Sequence, residues 1–173
     1  MAARAIVGIA LGMLFLPVIW LLLVASQFPI IPLPLSPGPD LTFWNWITSI
    51  TTNFNGFLTS YLAAGMGALT TPLITLFVLP GMTIANYLSW FAAGIITWAI
   101  IGMWAGAVER SAGRGIGVAV GIWLGWVIIE IIYWAISGSL TILIAAIMDQ
   151  WFGLVIAIIA AAIFGAITKS EEF

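Results

Sequence analysis

A single carboxyl group lies in the middle of one of the most apolar stretches of this sequence. Residues 123–137 read WLGWVIIEIIYWAIS, and the acid is Glu130. In a helix over 116–137, Glu130 lies about 5 Å from the helix midpoint, within the hydrocarbon core of a bilayer. A charged carboxylate at such a depth costs about 2.5–3.5 kcal/mol. Glu130 is therefore the first candidate for a functional residue.

The chain offers Glu130 no internal counter-charge, because no Lys or Arg occurs within its apolar runs. Three solutions are open. The acid stays neutral and hydrogen-bonded, or it faces a wet cavity and handles a proton or a cation, or it contacts another subunit. The candidate hydrogen-bond partners in the sequence are Tyr133, Asn86 and Thr97. Asp149 is a second acid of interest, with a helix cap at the outer interface as its alternative role.

Other site chemistry is scarce in this sequence. It contains no His and no Cys, which removes the common general base, the usual zinc ligands and thiolate nucleophiles. No cluster of Lys and Arg indicates nucleic acid. The Gly-rich run GRGIG at 113–117 lacks the spacing of a phosphate-binding loop. We therefore expect that the chain is not an enzyme and that it has no cofactor, no metal site and no nucleic-acid partner.

The composition predicts an all-α polytopic membrane protein that forms one integral domain over 1–173. Hydrophobic residues make up 64% of the chain and charged residues only 6%, against about 25% charged in a soluble domain. Apolar runs of more than about 18 residues recur along the sequence, which is the criterion for membrane-spanning helices. The expected surroundings are the lipid bilayer of the cell membrane and other membrane subunits or further copies of the chain.

Four apolar runs are predicted to cross the membrane, namely 5–26, 82–108, 116–137 and 151–168. The first is expected to kink near Pro17. Five of the eight prolines fall within 27–39, which is typical of an extended connector. Apolar side chains three or four apart in 41–54 predict an amphipathic helix, so that 27–55 lies on the outer surface and in the interface. Residues 140–150 are a short apolar run without an assigned role.

The segment 57–79 is long enough to span but is interrupted by Gly65, Gly67 and Thr70-Thr71-Pro72. If it does not cross, all four basic residues of the chain fall on one side, as is typical of the cytoplasmic face. If it crosses as one helix, giving five spans, the basic residues divide between both sides. The first arrangement is favoured. It predicts a broken or re-entrant segment entering from outside, with both chain termini in the cytoplasm.

Small residues recur every four positions in two of the predicted spans. Such stripes allow close backbone approach between membrane helices, so we expect these two helices to be close neighbours or one stripe to serve self-association. The stripes are Gly113, Gly117, Gly121 and Gly125, and Gly153, Ala157, Ala161 and Gly165. Glu130 points about 180° from the first stripe. A polar stripe in another span carries Asn86, Ser89, Ala93 and Thr97.

Two classes of function fit these features. The first is a non-catalytic integral membrane subunit that scaffolds or anchors a larger complex, in keeping with the lack of catalytic groups and of extramembrane domains. The second is a small homo-oligomeric transporter or channel that uses Glu130, since intramembrane acids beside discontinuous helices are common in transport sites.

Overall fold

The computed structural model of the chain describes residues 2–25, 43–69, 84–137 and 151–170. These residues form six helices: α1 (Ala2–Ala25), α2 (Phe43–Thr52), α3 (Phe54–Leu69), α4 (Ile84–Glu109), α5 (Ala112–Ser137) and α6 (Trp151–Ser170). The described part of the chain is therefore all helical. The predicted connector over 27–39 and the run 140–150 with Asp149 lie outside the described residues.

Four of the helices are long and apolar enough to cross a membrane, as predicted. Their apolar windows are Ala3–Leu23, Ala92–Glu109, Ala112–Ile136 and Trp151–Lys169. Large apolar side chains such as Ile128 and Ile163 are about half exposed on the outside of the bundle, where a bilayer would solvate them. The chain therefore has the helices of an integral membrane protein.

The directions of the four long helices follow from which residues meet. In α1 and α5, Ile9 lies against Gly121 and Met13 against Gly125, so these two helices run parallel. In α4 and α6, Gly102 lies against Ala157. The next turns of α4 and α6 repeat this contact four residues further along both helices, between Gly106 and Ala161. These two helices are therefore parallel as well.

A tight turn joins α4 to α5. The pair α1 and α5 therefore runs in the opposite direction to the pair α4 and α6. Only Arg110 and Ser111 separate α4 from α5, and Gly106 packs directly on Gly115 after the turn. The N-termini of α1 and α5 and the C-termini of α4 and α6 therefore share one end of the bundle. The four basic residues are exposed at this end: Arg4, Arg110, Arg114 and Lys169.

This shared end has a consequence for the segment between α1 and α4. Because α1 ends and α4 begins at the opposite end of the bundle, the intervening chain makes no net crossing. That is the arrangement predicted for four spans rather than five. Residues 70–83 lie outside the described part, so the re-entrant character of 57–79 stays a prediction.

Two details of the sequence-based expectation for 41–79 are wrong. The amphipathic helix does not continue to Phe54, because Asn53 interrupts it and caps α3 by accepting a hydrogen bond from Gly56 N–H to Oδ1 at 3.0 Å. Gly65 and Gly67 do not break the following segment, since α3 runs through both to Leu69. Gly65 instead makes room for the indole ring of Trp126.

Candidate functional site

Glu130 is buried inside the bundle. It is 2% exposed although it belongs to a helix of 26 residues that is apolar over most of its length. Its helix, α5, packs against α1, α3, α4 and α6, so it has neighbours on several sides. Gly121 and Gly125 face α1.

The side chain that binds Glu130 was missed from the sequence. Trp134, one turn further along α5, donates its indole N–H to Glu130 Oε1 at 3.3 Å. The spacing of four residues could have indicated this pair, because such side chains are neighbours on a helix. An indole is only a donor, so this contact favours the carboxyl group as an acceptor and supplies no ligand for a metal ion.

The sequence-predicted partners of Glu130 fall in different places. Tyr133 is 41% exposed and its ring meets that of Trp134 edge to face, with the centroids 5.2 Å apart. It therefore points outward. The side chain of Asn86 lies outside the described residues. Thr97 is fully buried, and its hydroxyl oxygen has no hydrogen-bond partner within the described part of the chain.

A second acid, Glu109, is buried at the opposite end of the bundle. It is 5% exposed at the last position of α4, and its Oε1 has no hydrogen-bond partner among the described residues. A negative charge at a helix C-terminus is unfavourable because the helix dipole is negative there. The sequence did not indicate Glu109 as a candidate site residue, because a residue between a membrane span and an Arg-containing loop is expected to be exposed.

Apolar side chains fill the interior of the bundle between Thr97 and Glu109. Along α4, Thr97 and Glu109 are about 18 Å apart. The core residues at these levels are at most 1% exposed: Ile101, Ala105, Val118, Ala119, Ile122, Ala157 and Ala161. Within the described residues, no group of three or more His, Cys, Asp or Glu side chains could hold a metal ion. The inner half of the bundle is therefore a packed apolar core.

The helices that carry the two small-residue stripes, α5 and α6, are close neighbours as expected, but each stripe packs mainly on a different helix. The stripe of α6 lies on α4, where a Cβ at Gly106 would be 2.5 Å from the carbonyl oxygen of Ala161. Its two glycines, Gly153 and Gly165, lie against Trp98 and against the backbone of Ser111.

The stripe of α5 divides into two halves. Gly121 and Gly125 face side chains of α1, whereas Gly113 and Gly117 are exposed and have no atom of the described chain within 4 Å of an added Cβ. At the start of α5, Ala112 lies against Gly165 of the α6 stripe. The α6 stripe packs on Gly102 and Gly106 of α4, a pairing that the spacing of these residues did not reveal.

Comparison with known proteins gives no further guidance on the role of these residues. No protein-family model matches the chain, and neither a curated protein nor a solved structure is similar to it.

Proposed function

We propose that this chain is a non-catalytic integral membrane subunit that scaffolds or anchors a larger membrane complex. The observation that carries the proposal is the closed apolar interior between Thr97 and Glu109, about 18 Å long. Conduction needs polar groups or water along the path, and an interior filled by residues such as Ile101 and Ile122, both at most 1% exposed, provides neither. A bundle with a packed apolar interior is suited to holding partners in place.

The proposal is tested by photo-crosslinking in the native membrane. A photoreactive residue replaces Ile128 or Ile163, which are 55% and 51% exposed on different helices. A scaffold subunit gives a crosslinked species with another polypeptide at one of these positions. Ile101, 1% exposed in the core, is the matched control and gives only intrachain products. Crosslinks to lipid and to further copies of the chain alone would contradict the proposal.

The alternative function is a small homo-oligomeric transporter or channel that uses Glu130 for a proton or a cation. The buried carboxyl group at membrane depth favours it, because intramembrane acids commonly mark transport or proton-relay sites. In liposomes containing the purified chain, Glu130→Gln should then abolish ion- or proton-coupled flux. Glu109→Gln, which changes the other buried acid of the described chain, is the matched control. Flux retained in Glu130→Gln excludes this version.

The finer topology belongs to the same proposal. The exposed basic residues at one end favour a cytoplasmic location for that end, and with it for both termini. A re-entrant α3 is supported by its contact with the centre of α1, since Tyr61 reaches the carbonyl oxygens of Met13 and Leu14. An interfacial position of α2 is supported by exposed Thr48, Thr51 and Thr52 on one side and by Ile47 packed against the core.

A further inference from the structure

Pro17 leaves a backbone acceptor of α1 without its helical donor. Pro17 lies inside α1 and has no N–H, so the carbonyl oxygen of Met13, four residues earlier, loses its usual partner. Met13 lies at the middle of α1. No water is available at such a depth in a bilayer, and an unsatisfied carbonyl group there is costly. The missing hydrogen bond must come from another helix.

Two side chains from different helices supply it. Trp126 of α5 donates its indole N–H to Met13 O at 3.1 Å. The hydroxyl oxygen of Tyr61 in α3 lies 2.8 Å from Leu14 O and 3.3 Å from Met13 O. A tyrosine hydroxyl has a single proton to donate, so Tyr61 binds one carbonyl oxygen at a time. This contact latches α3 to the centre of α1.

The latch holds α3 against one side of α5. The ring centroids of Tyr61 and Trp126 are 6.1 Å apart. One turn further along α3, a Cβ at Gly65 would run into the ring of Trp126, and neighbouring Ala64 is 1% exposed. Gly65 is thus the seat for the indole ring, and α3 covers the side of α5 that carries Trp126.

Glu130 lies on this same side of α5. It follows Trp126 by four residues, which is about 6 Å along the axis and about 40° around the helix. The first turns of α3 are open on the same face as Tyr61 and Gly65, since Phe54 is 58% and Leu58 is 43% exposed. A shift of α3 away from the bundle opens the side of α5 that Trp126 and Glu130 share.

We propose that α3 is a strap, latched by Tyr61 to the centre of α1 just before Pro17 and seated on Trp126 through Gly65, whose release gives access to the carboxyl group of Glu130. The strap controls access to the acid and does not depend on the proposed scaffold role. It gives the apolar bundle a conformational switch at membrane depth, made from one hydrogen bond and one glycine seat.

The test measures how fast dicyclohexylcarbodiimide modifies Glu130 in the full chain in liposomes. This apolar reagent converts protonated carboxyl groups to N-acylureas, and peptide mass spectrometry locates the adduct. Tyr61→Phe removes only the latching hydroxyl group, so labelling of Glu130 should be several-fold faster than in the wild type. Tyr133→Phe, at an exposed tyrosine on α5, is the matched control and should label at the wild-type rate.

A second variant guards against loss of folding in the first. Gly65→Leu fills the seat of Trp126 and should also speed the labelling of Glu130, while gel filtration and thermal melting report whether each variant is folded. Glu130→Gln identifies the adduct by removing it. Equal rates in the wild type and in a folded Tyr61→Phe or Gly65→Leu variant would overturn the strap. So would a wild-type rate as fast as that of the detergent-unfolded chain.

Discussion

At the scale of single residues, aromatic donors bind several of the buried polar groups of the described chain. Trp134 donates to Glu130, Trp126 donates to Met13 O, which lacks its helical donor because of Pro17, and Tyr61 donates to Leu14 O at 2.8 Å. An indole or a phenol combines a large apolar body with one polar tip. It can therefore fill the core and satisfy a buried acceptor at once, which explains how polar groups are tolerated at membrane depth.

Arg110 gives a prediction at this scale. It has a positive φ of 48° in the turn between α4 and α5, a conformation that costs about 1–2 kcal/mol for a residue with a side chain. Its N–H binds Gly106 O at 2.9 Å, as in a helix C-cap where glycine is preferred. Arg110→Gly should raise the free energy of unfolding by about 0.5–1 kcal/mol, measured by denaturation in detergent.

A second substitution serves as the control for the charge that Arg110→Gly removes. Arg110→Ala removes the same positive charge but keeps a Cβ in the strained conformation, so it should not share the gain. Equal stability of the glycine and alanine variants would show that strain at this position contributes nothing.

At the scale of the elements, close backbone approach decides which helices are neighbours. Gly102 and Gly106 let α4 approach the backbone of α6 at Ala157 and Ala161. Gly121 and Gly125 accommodate the side chains of α1 in the same way. Without a hydrophobic driving force between helices in lipid, such contacts between small residues are the main source of packing energy.

A pair of matched substitutions tests this packing. Gly106→Ala places a Cβ 2.5 Å from the carbonyl oxygen of Ala161, so the helices must separate, and we expect a loss of about 1–3 kcal/mol. Gly117→Ala meets no atom of the described chain within 4 Å and should be neutral or gain up to about 1 kcal/mol from helix propensity. The free energy of unfolding of each variant is measured in detergent. Equal losses in the two variants would contradict the close contact between α4 and α6 at Gly106.

At the scale of the whole molecule, the exposed basic residues of the described chain are gathered at one end of the bundle. The exposed basic residues lie where α1 and α5 begin and where α4 and α6 end, and the sequence contains no other Lys or Arg. The pairs of parallel helices require this common end, because Ile9 meets Gly121 in one pair and Gly102 meets Ala157 in the other.

The topology is tested by fusing a reporter to each end of the chain. A fluorescent protein that folds only in the cytoplasm should be active at the N-terminus and at the C-terminus, because both lie at the basic end. A reporter that is active only outside the cytoplasm should be inactive at both. Reporter activities that place the two termini on opposite sides of the membrane would contradict the arrangement of α1 and α6.

The sequence by itself determined the all-helical class and the four helices long and apolar enough to cross a membrane, and it placed Pro17 inside the first of them. It also identified Glu130 as the unusual residue. These features depend on composition, on the length of apolar runs and on the backbone chemistry of proline, all of which are local. A break at Gly65 was wrongly expected, because a glycine that seats an indole ring from another helix looks the same in sequence as one that ends a helix.

Only the tertiary structure decided which residues meet. The stripes on α5 and α6 share the same spacing, yet Gly121 and Gly125 of the first face α1, whereas Ala157 and Ala161 of the second face α4. The donors for Met13 O come from α3 and α5, more than 40 residues away in the chain. A helix presents residues on every side, so spacing alone gives a face but not the partner of that face. The partner depends on how the helices close around a common core.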